Sequence, residues 1–89
     1  MTLAIVTEVW STPSLTLTKD TVFQARTGNI LLDIGGNAAA GSLDGYLLTT
    51  NPEDGRRDGI VLPTGTVVRW RKASGKAPAS LYYDPVGAP

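Results

Sequence analysis

The sequence predicts an all-β domain: a small antiparallel β-sandwich or barrel of about seven to eight short strands, with little or no helix. Three observations predict it. Short runs rich in Val, Ile, Leu, Thr and aromatic residues recur between clusters of Gly, Pro, Asn and Asp, which is how strands and tight turns are written. Apolar and polar residues alternate inside several of these runs, the two-residue period of a strand with one dry and one wet face. Good helix formers stand in a row only in "GGNAAAGSLDG", where close-set glycines and the short length suit a loop or a single turn.

Taken in order, the first expected strand is 3–10, "LAIVTEVW", apolar on both alternations. It belongs to an N-terminal arm, 1–12, able to add to a neighbour's sheet edge. In "SLTLT" Leu15 and Leu17 alternate with Thr16 and Thr18, giving a strand at 15–18, and the next is expected at 21–26. "NILLDI" carries a strand at 30–34 that is apolar nearly throughout, as a strand covered on both faces would be. Ile30, Leu32 and Ile34 are expected inward, leaving Leu31 for a second layer or a neighbouring subunit. A strand at 46–49 follows. "NPEDGRRDG" then combines Pro with two Asp-Gly steps and dense charge, the composition of an exposed loop. A short strand at 60–62 leads into "LPTGT", a tight turn in which Pro63 fixes φ and Gly65 is free to take a positive one. At 66–71 Val68 and Trp70 alternate with Arg69 and Arg71. "SGK" at 74–76 reads as a hairpin turn, and the last strand is expected at 81–83. The tail 84–89, "DPVGAP", cannot donate regular ladder bonds and is expected to be extended or frayed. The expected core is Phe23, Ile30, Leu32, Ile34, Leu47, Val68 and Trp70. No internal repeat or linker interrupts the chain, so 1–89 reads as a single β domain.

Composition narrows the function. At 89 residues with no Cys and no His, the chain has neither disulfide staples nor thiolate or imidazole ligands, and it lacks the commonest general base. A domain this small sits near the lower limit for a self-sufficient core, so tight packing or association must supply the rest. Eight basic and eight acidic residues cancel, which gives no electrostatic reason for copies to stay apart. Dedicated nucleic-acid proteins are usually basic overall, because each neutralised phosphate contributes through counterion release; that excess is missing here. "MTLAIVTEVWS" has no positive n-region and only a short apolar run with a Glu inside it, so neither a secretory signal nor a membrane span is expected, and synthesis is assigned to a cytoplasm. Asn51 is followed by Pro52, which leaves no glycosylation acceptor there.

Three stretches imitate functional motifs. "GNAAAG" spaces Gly36 and Gly41 like the start of a P-loop, yet Ser42 and Leu43 stand where the phosphate-gripping Lys and the Ser/Thr belong. A flexible loop that turns tightly or approaches a neighbour is the better reading. Ser74 to Lys76 lack the upstream glycine, since Trp70 occupies its place. Glu53, Asp54 and Asp58 could offer oxygen ligands to a cation, but Arg56 and Arg57 lie between them, and a solvated, self-paired loop is favoured. The expectation is no metal, no cofactor and no catalytic residues, hence no enzyme: Ser, Thr and Lys remain as nucleophiles without an activating partner.

"TVVRWRKASGKAPASLYYD" is the stretch richest in recognition chemistry. Arg69 and Arg71 should share the wet face of their strand while Trp70 points into the core. Cations and aromatic are then on opposite sides, unlike the base-stacking sheets of single-strand binders. Alternation buries one of Tyr82 and Tyr83 and exposes the other. The Arg face fits a protein-protein patch and equally an ordinary solvated strand with snorkelling cations.

Read together, "FQARTGNILLDIGGNAAAG", "DGYLL" and "VLPTGTVVRWRKASGKAPASLYYDPV" resemble the small β-rich virion proteins of tailed bacteriophages. The shared pattern is "VQ-x-x-G-x-I-x-L-x-I-G", an Ala/Gly-rich loop, "DG-x-L-L", a Pro-x-Gly turn and an aromatic-bearing strand ending in "-Y-P-V", here over 22–86. The charged "NPEDGRRDG" insertion departs from it. The resemblance implies a non-enzymatic virion structural protein that decorates or cements the capsid and stabilises the phage head. It also implies a homo-oligomer, with a trimer favoured, located in the virion and partnered by the major capsid protein or another virion protein.

The expected interface combines Arg69, Arg71, Lys72 and Tyr83 with Leu3, Ile5, Val9 and Trp10 of the arm; no membrane contact is expected. Two alternatives stay open. One is a fibre or tail module that binds host carbohydrate through Tyr82, Tyr83, Asn51 and Asp54. The other, from a different class, is a nucleic-acid-binding β-barrel using Arg69, Arg71, Lys72 and Lys76, against which the neutral charge speaks.

Overall fold

In a computed structural model of the chain, described over residues 2–39, 41–51, 53–73 and 78–86, the β-rich runs become ten strands. These are β1 (Thr2–Val6), β2 (Leu15–Thr16), β3 (Thr21–Thr27), β4 (Ile30–Ile34), β5 (Tyr46–Leu48), β6 (Thr50–Asn51), β7 (Arg56–Arg57), β8 (Gly59–Leu62), β9 (Val67–Lys72) and β10 (Ala79–Pro85). All eight expected strands are present, and no described residue is helical. Two four-stranded antiparallel sheets, ordered β1-β10-β3-β8 and β2-β9-β4-β5, face each other as a sandwich, with β6-β7 as a separate hairpin. The expected hairpin turn at 74–76 and the tail residues 87–89 lie outside the described residues.

Most connections carry the chain from one sheet to the other, which is why turn chemistry matters so much here. Between β3 and β4 the chain bends at Gly28, whose φ is +71°. A Cβ there would also stand 2.9 Å from the Pro78 carbonyl oxygen, so both conformation and space require glycine. Between β8 and β9 the Pro63–Thr66 turn closes as expected: Gly65 takes φ +90°, and the Thr66 amide donates to the Pro63 carbonyl at 3.2 Å.

Inward positions of both sheets fill the space between them. Val6, Leu17, Phe23, Ala25, Ile30, Leu32, Leu48, Leu62, Val68, Ala79 and Leu81 form one buried cluster. Three aromatics join the sheets at its centre. Phe23 stacks on its cross-strand partner Tyr83 with ring centroids 5.6 Å apart, and Trp70 of the opposite sheet reaches both, at 6.4 Å from Phe23 and 5.4 Å from Tyr83. Such pairs add about 0.5–1.5 kcal/mol each beyond area burial.

Two expected core residues are instead on the surface. Ile34 is 46% exposed and Leu47 50%. Ile34 has the inward phase but ends its strand, pairing with Val68 just before the chain turns away at Gly35, φ +106°. Leu47 is out by one residue: it lies opposite Leu31, while Leu48 opposite Ile30 holds the buried place, and a one-residue slip exchanges faces. The start of the tail is extended, as expected, but it also pairs, contrary to expectation. Asp84 and Pro85 belong to β10, opposite Val22 and Thr21, and the Val86 amide donates to the Asp20 carbonyl at 2.8 Å. Pro85 is tolerated because β1 runs alongside β10 only as far as Tyr83, so that flank is edge-like.

Two carboxylates tie loops to this frame. Asp20 Oδ1 accepts from the Thr64 amide at 2.8 Å and from its hydroxyl at 2.9 Å. Asp58 Oδ2 accepts from the Thr49 amide at 3.0 Å and hydroxyl at 2.8 Å. These hydrogen bonds hold both carboxyls below their ordinary value of 3.8, Asp20 through the Thr64 amide first and Asp58 through the Thr49 hydroxyl first. A lowered folded-state pKa means that the unfolded chain binds more protons, so this stabilisation is complete above the ordinary value and is lost as pH falls through the folded one. Urea midpoints are therefore expected to drop between pH 5 and pH 2, and an Asp20→Asn, Asp58→Asn double variant to show a flatter dependence; parallel curves for the two proteins would refute the assignment.

Candidate functional site

β9 does present Arg69 and Arg71 on the outside of its sheet, opposite Asp33 and Leu31 of β4. That side is not open to a partner. Arg69 donates Nε and Nη2 to Asp33 Oδ2 at 2.9 and 2.6 Å, and Nη2 also reaches the Ala38 carbonyl at 2.6 Å. The same Asp33 oxygen receives the Ala38 amide at 3.0 Å. Arg71 donates Nη1 to the Ser42 carbonyl at 3.3 Å and Nε to the Lys72 carbonyl at 3.1 Å. The two cations thus hold the Ala/Gly-rich segment between β4 and β5 against the sheet.

Trp10 lies beneath them. The segment after β1 is stitched along β9 by Thr7, whose carbonyl takes the Lys72 amide at 2.8 Å, and by Ser11, whose amide donates to the Trp70 carbonyl at 2.9 Å. This carries the Trp10 ring to 5.7 and 5.8 Å from the Arg69 and Arg71 guanidinium carbons, where it is only 6% exposed. Leu31, left by its sequence for a second layer, is buried in that layer. So β4 is covered on both faces, as its apolar run foretells. The strand expected over 3–10 stops at Val6, and Trp10, expected at an interface, is enclosed by its own chain.

Gly45 completes the enclosure by having no side chain. A Cβ there would stand 2.9 Å from the Leu32 carbonyl oxygen and 3.2 Å from both Leu31 Cβ and Trp10 Cη2. Gly45→Ala is expected to cost about 1–3 kcal/mol by overpacking, read as a lowered urea midpoint at unchanged m-value; a loss below about 0.5 kcal/mol would show that the layer yields freely.

The other expected site residues divide. Tyr83 is part of the central aromatic trio, and its neighbour Tyr82 faces outward with the Arg26 guanidinium carbon 4.4 Å from its ring centroid. A sugar would find the Tyr82 ring already partnered by Arg26. Asn51 and Asp54 turn onto their own hairpin: Asn51 Oδ1 accepts the Glu53 amide at 3.1 Å, and Asp54 Oδ1 the Arg56 amide at 3.0 Å. Lys72 is half-buried, and Lys76 lies outside the described residues. The nucleic-acid alternative therefore loses Arg69 and Arg71 to internal contacts. Glu53, Asp54 and Asp58 do not converge; among the described residues no three His, Cys, Asp or Glu side chains are grouped to hold a metal, and no helix is long and apolar enough to cross a membrane.

Leu3, Ile5 and Val9 remain available, at 51%, 75% and 69% exposure. Leu3 and Ile5 project outward from β1, the edge strand beyond β10. Beside this edge runs an open groove of about 820 Å³, lined by Leu3, Ile5, Thr7, Lys72, Pro78 and Ser80. Sequence reasoning misses a second groove, between the end of β3 and the β6-β7 hairpin, around Arg26, Arg56 and Arg57. Only the density of Arg in the charged loop signals it. No protein-family profile, curated protein or solved structure matches this chain.

Proposed function

We propose that the chain is a non-enzymatic virion structural protein, a capsid decoration protein that docks through the β1 edge onto the major capsid protein or a neighbouring copy. The observation that carries this reading is an edge strand with its apolar side chains turned outward: Leu3 and Ile5 are exposed where a soluble monomer ordinarily places charge or Pro to block pairing. The rest of the molecule supports it. A neutral sandwich whose Arg69, Arg71 and Trp10 are engaged internally is a rigid body for carrying an edge, and repeated copies on a shell turn modest contacts into high occupancy.

The test is the mass of the purified protein by light scattering, followed by sedimentation with undecorated capsids. An oligomer that co-sediments with shells is expected, and Ile5→Asp should remain folded, since the side chain is surface-exposed, while attachment falls at least about tenfold. A wild-type monomer that stays in the supernatant would overturn the proposal.

A further inference from the structure

The second groove has a chemistry of its own. It holds about 550 Å³ and is lined by Arg26, Asn29, Thr50, Asn51, Arg56 and Arg57 among others, with no carboxylate among the described residues of its wall. Its sides are fixed relative to each other. The Thr50 hydroxyl donates to the Gly28 carbonyl at 2.9 Å and its amide to Asn29 Oδ1 at 3.4 Å, tying the β6-β7 hairpin to the turn between β3 and β4. Gly55, at φ +74°, bends the hairpin that brings Arg56 and Arg57 to the rim.

The three cations differ in how they are engaged. Arg56 is paired with Asp58 at 3.3 Å. Arg57 makes one long hydrogen bond, from Nε to the Arg26 carbonyl at 3.5 Å. Arg26 donates to Gln24 Oε1 at 3.2 Å and lies over Tyr82. Among the described residues the ion pairs are Arg56–Asp58 and Arg69–Asp33, so Arg26 and Arg57 each keep a full charge and most of their N–H donors. Of the nearby acids, Asp58 is taken up by Arg56 and Thr49, Asp54 accepts from the Asn51 side chain at 3.4 Å, and neither they nor Glu53 line the groove. In a chain whose charges sum to zero, two guanidinium groups without an ion-pair partner among the described residues thus stand beside one tethered groove.

We propose that this groove binds a tetrahedral oxyanion carried on a small molecule, a phosphate or sulfate ester. Arg26 and Arg57 supply charge-assisted hydrogen bonds to its oxygens. The groove is of the size that accepts a small organic ligand rather than a bare ion. The groove abuts the one beside the β1 edge at Thr27 and Pro78, but Arg26, Arg56 and Arg57 line this one alone, so the failure of this proposal would leave the docking proposal untouched.

The probes are sodium tripolyphosphate and a sulfated disaccharide, titrated at constant ionic strength and followed by the backbone amide and arginine Nε–Hε resonances. Saturable shifts confined to residues 26–29 and 50–57 are expected with at least one probe, and comparing the two separates phosphate from sulfate preference. Arg57→Gln should weaken binding about tenfold or more, while Lys19→Gln, an equal change of charge outside the groove, should alter it less than about twofold. Non-saturating shifts spread over all cations, or equal affinity in Arg57→Gln and wild type, would overturn the assignment. Because the Arg57 side chain is exposed and makes one long hydrogen bond among the described residues, its replacement leaves the fold in place; Arg26→Gln provides a second, independent variant.

Discussion

Phe23→Ala is expected to destabilise the domain by about 3–5 kcal/mol, the range for truncating a fully buried aromatic. Phe23 is wholly inaccessible and touches the rings of both Tyr83 and Trp70, so its loss opens a cavity where the two sheets meet and removes its stack on Tyr83 within one sheet together with one of the two aromatic contacts, Phe23–Trp70 and Tyr83–Trp70, that join the sheets. Stabilities of about 5–15 kcal/mol are usual for native domains, and one of 89 residues lies toward the low end, so the variant should be at the margin of folding. At about 4–8 °C per kcal/mol for this size, the thermal midpoint should fall by more than about 12 °C. Phe23→Leu should cost markedly less, because it keeps most of the volume. A change below about 1 kcal/mol in urea unfolding of Phe23→Ala would mean that the sandwich closes without the trio.

Asp33→Ala should be comparably severe, for an electrostatic reason. The Asp33–Arg69 pair is largely buried, with side-chain exposures of 7% and 17%, and the single oxygen Asp33 Oδ2 serves Arg69 and the Ala38 amide together. Removing it strands a guanidinium and an amide under the loop, and breaking a buried pair from one side costs about 3–5 kcal/mol. Removing both partners leaves no uncompensated charge, so Asp33→Leu, Arg69→Met should lose much less than the sum of the single changes. Hydrogen exchange gives a second readout: the Trp10 indole proton, buried and with no acceptor among the described residues, should exchange far faster in Asp33→Ala than protons of the central strands. Additive single and double losses would reduce the pair to an incidental contact.

The strands were legible because each has a two-residue period that a few Val, Leu and Thr suffice to display; "SLTLT" and "VVRWR" are instances. β6 and β7 were not, since Thr50–Asn51 and Arg56–Arg57 carry no apolar alternation, and hairpin geometry at Gly55 makes them. The site was legible in direction but not in occupancy. Alternation places Arg69 and Arg71 outward and Trp70 inward, as observed, but no local pattern reveals that the segment after β4 folds back over those cations with Trp10 beneath. That layer depends on contacts remote in sequence, such as Arg69 with Ala38. For the tyrosines the signal was present: Leu81 and Tyr83 share a strand face, and an apolar Leu81 turned inward takes Tyr83 with it, leaving Tyr82 outside.

The first sheet has an order of assembly written into it. β10, the last strand in the chain among those described, lies between β1 and β3, so β1 has no partner and β3 only β8 until β10 is synthesised. During translation the edge of β3 and the side of the Phe23 ring that Tyr83 covers wait exposed, and pairings this distant in sequence close in milliseconds to seconds rather than microseconds. The recovery of soluble protein is therefore governed by how soon β10 docks after it leaves the ribosome, and slower growth at low temperature, which spaces nascent chains apart, should raise it.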